Sequence, residues 1–166
     1  YTISGNSTVL NAISSAGGLN ASGSLRNIIV KSRDGTTTEY DLYDLLIDGD
    51  VSSILPIKAG DSINVLGRKK YISIYGGVNR PAKYEIEDES LSRIIDFAGG
   101  IIPPSPMSIY SQSLDGNNYV SREISIKNIE KIKAENLDIY NVNYSSVANN
   151  VGVEIFGSLA STGKFS

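Results

Sequence analysis

Ten tyrosines stand against three phenylalanines and no tryptophan in this 166-residue chain, and histidine and cysteine are both absent. The two absences remove most familiar chemistry. Without His or Cys there is no ordinary catalytic triad, no thiolate nucleophile and no usual zinc centre. A catalyst would have to be assembled from carboxylates, lysine, serine or tyrosine alone, as in glycosidase or lyase chemistry, and no paired-carboxylate constellation can be placed in one cleft. The expectation is no enzyme, no cofactor and no metal. Asp48, Asp50 and Asp61 lack the regular oxygen-ligand spacing of a calcium loop. Tyrosine suits another task, because an apolar ring with a polar tip stacks on sugars and hydrogen-bonds to them, and it suits protein interfaces equally. Tyr71, Tyr75, Tyr110, Tyr119, Tyr140 and Tyr144 are the candidate contact residues for a polymer or a protein. Tyr1 and Tyr84, which open strands, are expected to be core or staple residues.

Charge adds little. A net charge of −3 gives no basic face for nucleic acid. No apolar stretch reaches the roughly 18 residues that a membrane span needs. "RKK" (68–70) is expected to be a solvated connector, and "EIEDES" (85–90) a solvated helix start favoured by the helix dipole. The chain begins at Tyr1 without a charged-then-apolar leader, as expected of a piece taken from a longer chain.

The elements that must position these residues recur. "AISSAGGLN" (12–20) and "IIDFAGGII" (94–102) place Ala-Gly-Gly 82 positions apart. Before each, Val9, Ala12, Ile13 and Ala16, and again Leu91, Ile94, Ile95 and Ala98, follow the i, i+3, i+4, i+7 spacing of a helix face. Asn6 or Ser7, and Asp88, are the expected N-caps, with Gly17 and Gly99 as left-handed residues ending the helices. Each helix is followed by Asp-Gly between strand-like runs, in "IIVKSRDGTTTEYDL" (28–42) and "IYSQSLDGNNYVSREI" (109–124), which predicts hairpins. Short amphipathic pieces at 42–49 and 126–132 precede closing strands in "AGDSINVLG" (59–67) and "AENLDIYNV" (134–142), where Gly60-Asp61 is replaced by Glu135-Asn136. A strand phrase recurs too: "IFGSLASTGKF" (155–165) lies over "IYGGVNRPAKY" (74–84) without a gap.

These signals predict an α+β chain of tandem β-grasp units, each a small mixed sheet half-wrapped on one helix. Residues 1–66 are expected to form a repeat lacking its first strand, 71–143 a complete repeat, and 151–166 the first strand of a third. Val151–Gly157 is then expected either to pair with the first repeat of a neighbouring molecule or to lie poorly ordered.

The opening "GGVNRPAKY", the helix ending in Ala-Gly-Gly, the Asp-Gly hairpin and the closing "AGDSINV" together resemble the soluble-ligand-binding β-grasp (SLBB) domain, over essentially the whole chain. Tandem copies look most like the outer-membrane polysaccharide export proteins of Gram-negative bacteria, the capsule and exopolysaccharide translocon family. That resemblance implies a non-catalytic periplasmic scaffold in contact with polysaccharide and other envelope export components, self-associating through repeats or strand donation, with no nucleic acid. SLBB domains also resemble carriers of small ligands such as cobalamin, which is the alternative function.

Overall fold

In the computed structural model, which describes residues 7–54, 56–104, 106 and 108–143 and the backbone of 153–154 and 164–165, Ala-Gly-Gly ends a helix both times. Helix α1 spans Val9–Ser15 and α3 spans Leu91–Phe97. Each stops on the same turn: Gly18 N donates to Ile13 O and Gly100 N to Ile95 O, both at 2.9 Å. That six-to-one bond needs a left-handed residue just before it, which Gly17 and Gly99 supply. The N-caps differ from the expectation. Thr8 caps α1 through a capping box with Asn11, and Ser90 caps α3 by accepting from Arg93 N. A hydroxyl set directly before the first helical residue reaches the third-residue N–H, whereas Asp88 lies two positions too early and holds Lys133 instead.

The Asp-Gly phrases do turn hairpins. Strands β1 (Gly23–Lys31) and β2 (Thr37–Tyr40) pair in the first unit, and β6 (Ser108–Asp115) and β7 (Asn118–Ser125) in the second. Helix α2 (Leu42–Leu46) and a 3-10 turn over Ile126–Lys131 follow them. The closing strands are β3 (Ser62–Gly67) and β8 (Ile139–Val142). Ahead of α3 lie β4 (Tyr71–Gly76) and β5 (Ala82–Glu85). One sheet has the order β2-β1-β3 and the other β7-β6-β8-β4-β5, so the second repeats the first order and extends it, with β4 parallel to β8. The molecule is α+β and β-grasp-like.

The helices explain the sheets. Leu91, Ile94, Ile95 and Ala98 form one buried face of α3 against Ile72, Ile74, Ile109, Tyr140 and Val142. Val9 and Ile13 of α1 pack on Ile28, Val30 and Ile57. Removing such a face from water contributes roughly 2 kcal/mol per large aliphatic side chain, and that burial holds helices this short, which are marginal alone.

Strand register corrects the closing motif. Ile29 pairs with Asn64 in the first sheet, and Tyr110 with Asn141 in the second. This places Asp138, not Asn136, at the position of Asp61. The local bonds agree: Asp61 Oδ2 accepts from Lys58 N at 2.8 Å, and Asp138 Oδ2 from Glu135 N at 3.0 Å. Gly60, at φ +94°, is therefore matched by Leu137, at φ +71° and the one non-glycine residue with positive φ among those described. The second unit is four residues shorter between hairpin and closing strand, so the ungapped string match misaligns them.

Candidate functional site

Alternation along the strands sorts the tyrosines. On β6 Ile109 and Ser111 are buried toward α3 and Tyr110 faces outward; on β4 Ile72 and Ile74 are buried and Tyr75 faces outward. Asn141 pairs with Tyr75 on one side and Tyr110 on the other, so all three share one outer row of the five-stranded sheet. Their strands lie on either side of β8, so their backbones stand about 10 Å apart, twice the strand spacing. Tyr119, paired with Leu114, extends the face at its far edge. Tyr75, Tyr110 and Tyr119 are 45%, 47% and 62% exposed, an open aromatic platform interleaved with amide and hydroxyl groups.

The other candidates differ. Tyr71 is half-buried under two cations, with the Arg68 guanidinium 5.0 Å and the Lys83 ammonium 5.4 Å from its ring centroid. Tyr140 is a correction: it is 1% exposed in the core, with its hydroxyl donating to Asp138 Oδ2 at 2.7 Å. Burial, and then the Asp138 carboxylate, push its pKa upward, and the same burial leaves the ring no free face for a partner. Tyr144 and Tyr1 lie outside the described residues. Tyr84 is buried as expected, donating to Arg80 O at 2.7 Å.

A second constellation escaped the sequence. The acidic run is solvated at Glu87 and Asp88 as expected, but Glu85 is 5% exposed and its carboxylate accepts from Ser24 Oγ and from Leu25 N of the first unit. Glu85 N donates to Tyr43 Oη at 2.9 Å. Beside it Arg26 bonds Asp41 through Nε at 2.8 Å and Glu89 through Nη1. Tyr43 completes the joint, its ring edge-on to Phe97 at 5.3 Å. "RKK" joins β3 to β4 with Lys69 and Lys70 exposed, as expected of a solvated connector, and it is tied to the first unit where Lys69 Nζ reaches Asn27 Oδ1 and Arg68 N donates to Ser22 O. Of the three aspartates that lack calcium-loop spacing, Asp48 pairs with Arg93, Asp50 accepts from Ser52, and Asp61 accepts from Lys58.

The electrostatics of the joint predict a pH dependence. Burial alone would raise the Glu89 pKa, but bonds from Glu87 N and from Arg26 outweigh it and hold the carboxyl below its ordinary value. The Arg26 pKa moves upward despite burial, under Glu89 and Asp41, so Arg26 stays charged throughout. A carboxylate depressed in the folded state contributes stability above its unfolded pKa, about 4.3, and loses it as pH falls through the folded value. The urea midpoint should therefore drop between about pH 5 and pH 3, and drop less in Glu89→Gln, with the difference between the two chains reporting Glu89. Equal curves would show that Glu89 carries no such linkage.

The third feature is a groove of about 670 Å³ in the first unit, lined by Ala12 and Ile13 of α1, by its C-cap Ala16, by Leu19, and by Ile63 and Val65 of β3. Residues 1–41, which supply its helical wall, match the family model of the SLBB domain. The match spans 41 of the 166 residues and ends inside the first unit, just before α2. No curated protein matches the chain.

Proposed function

We propose that this chain is a non-catalytic scaffold module of a bacterial polysaccharide exporter, built of two SLBB repeats and working at the periplasmic face of the outer membrane. The family match over residues 1–41 carries this reading, since SLBB domains are soluble-ligand-binding modules typical of polysaccharide export proteins. The open tyrosine face supports it. Tyr75, Tyr110 and Tyr119 offer stacking surfaces while Asn141, Gln112 and Ser121 offer hydrogen bonds, a mixture that meets sugar rings weakly and repeatedly. Weak contact suits a conduit, because a polymer held tightly at each module would not move. Partners on this reading are polysaccharide and other envelope export components.

Titration of the isotope-labelled chain with capsule-type oligosaccharides should give dissociation constants of roughly 0.1–1 mM, or about −4 to −5.5 kcal/mol. Amide shifts should centre on β4, β6 and β8. Replacing Tyr75, Tyr110 and Tyr119 with alanine should abolish them while changing stability by less than about 0.5 kcal/mol at each exposed site. Shifts that survive the triple substitution would refute the tyrosine face as the contact.

The groove favours the alternative, a small-ligand carrier, because about 670 Å³ lies within the size range of small-molecule sites. One wall, however, is the edge of β3, which pairs with β1 alone among the described residues, and a main-chain edge is a seat for another strand. A small molecule such as cobalamin bound there at micromolar strength would replace the scaffold reading with the carrier.

A further inference from the structure

Charge is not spread evenly over the tyrosine face. At one end lies β5, where Lys83 is exposed opposite Ser73 and has Tyr71 and Tyr75 of β4 as its diagonal neighbours. At the other end lies β7, where Glu123 stands opposite Tyr110 and accepts from Ser108 Oγ at 2.6 Å. Crossing the face from β5 to β7 therefore leads from a cation to an anion.

The cationic end is doubled. Arg68 sets its guanidinium 5.0 Å from the centroid of the Tyr71 ring, and Lys83 Nζ lies 5.4 Å from the same centroid. Main chain of the first unit holds Arg68 in place, since its Nη2 donates to Ala21 O and its backbone N to Ser22 O. Two cations gathered at one ring repel each other, and a carboxylate beside them would relieve the repulsion. Glu85 is the one that strand register brings opposite Tyr71, but its carboxylate is committed to Ser24 Oγ and Leu25 N. Among the described residues no carboxylate forms an ion pair with Arg68 or Lys83. The ring offsets part of the positive charge, and an anion from outside would offset the rest.

We propose that Arg68, Lys83 and Tyr71 form an anion subsite at the β5 end of the tyrosine face, and that it takes the carboxylate of an acidic sugar within a polymer. This rests on the reading of that face as a sugar surface. A hexuronate bears its carboxylate on the carbon beside the ring oxygen, at the rim of the sugar. A ring stacked flat on Tyr75 thus presents the carboxylate sideways, toward the neighbouring strand. Lys83 is one diagonal step away on that strand, with a four-carbon stem to reach along. Glu123 at the far end repels the same group. The face therefore favours a polymer that sets an acidic sugar at Tyr75 and a neutral one toward Tyr110.

The probe is an oligomer of alternating glucuronate and N-acetylglucosamine, compared with the same oligomer after methyl esterification of its carboxylates. Each is titrated into the isotope-labelled full chain. The acid should bind about tenfold tighter than the ester, a difference within reach of two exposed ion pairs. It should move the amides of Tyr71, Ser73 and Lys83, which the ester leaves in place. The advantage should disappear in about 1 M salt, where screening acts within roughly 3 Å. Lys83→Arg should keep it and Lys83→Gln with Arg68→Gln should remove it. Lys83→Glu alters one exposed side chain and should leave the acid weaker than the ester. Acid and ester bound equally on the tyrosine face would overturn the subsite and leave the sugar surface standing, whereas no binding of either would end both. A preference that survives Lys83→Glu, or inorganic phosphate that matches the acid in shifts and affinity, would also overturn the proposal.

Discussion

Gly76→Ala should cost the second unit about 3–5 kcal/mol, in the upper range for single substitutions, while Gly100→Ala costs only about 1–2 kcal/mol. The two glycines have nearly the same backbone, φ +85° and +84°, so both alanines carry the same left-handed penalty. They differ in surroundings. A Cβ on Gly76 would lie 2.3 Å from Val142 O and 2.9 Å from Asn141 Oδ1, whereas nothing stands within 4 Å of one on Gly100. The obstacle at Gly76 is main chain and cannot rotate aside. Nor can it retreat, since Val142 is wholly buried and its carbonyl holds Gly77 N at 2.6 Å. Alanine must therefore open the parallel β4–β8 pairing at its end, exposing the core behind Ile74 and Val78. Urea unfolding followed by tyrosine signal measures both variants. A similar cost at the two sites would mean that the close approach does not govern β4.

The same strand shows what sequence can and cannot reveal. Short-range signals survived into the structure: apolar spacing at Leu91, Ile94 and Ile95, the Ala-Gly-Gly stops, and the Asp-Gly turns are each written within a few residues of where they act. The outward tyrosines were nearly legible as well. Tyr75 and Tyr110 each follow an inward isoleucine by one position, and the two-residue period turns them to the opposite face. The same rule would have placed Tyr140 in the core, because it lies two positions before the buried Val142. The Asp61–Asp138 equivalence was hidden by a four-residue length change, and only hydrogen-bond register restores it. The joint was out of reach altogether. Leu25 meets Glu85 across 60 positions and Arg26 meets Glu89 across 63, and no local pattern distinguishes a glutamate bound for burial from a solvated one.

That joint gives the second large expected effect: Arg26→Ala should cost about 3–5 kcal/mol, and Arg26→Met with Glu89→Gln should recover most of it. Arg26 has 9% of its side chain exposed and Glu89 13%, so the pair is largely withdrawn from water. Deleting the cation alone leaves Glu89 and Asp41 facing a cavity with their desolvation uncompensated. Replacing the pair with methionine and glutamine fills the volume, keeps an acceptor for Glu87 N and leaves no lone charge at Glu89. The apolar stem suits the site, which lies 5.1 Å from the Tyr43 ring and 5.9 Å from that of Phe97. The readout extends beyond total stability. Arg26, Ser24 and Tyr43 belong to the first unit and Glu85, Glu89 and Phe97 to the second, so the joint couples the unfolding of one to the other. The unsubstituted chain should melt in one transition and Arg26→Ala in two, with the double substitution restoring one. If the double variant remained as unstable as Arg26→Ala, the ion pair itself would be the source of stability. If Arg26→Ala still melted once, the joint would not transmit between units, and a stack of such modules would need another means of holding their orientation.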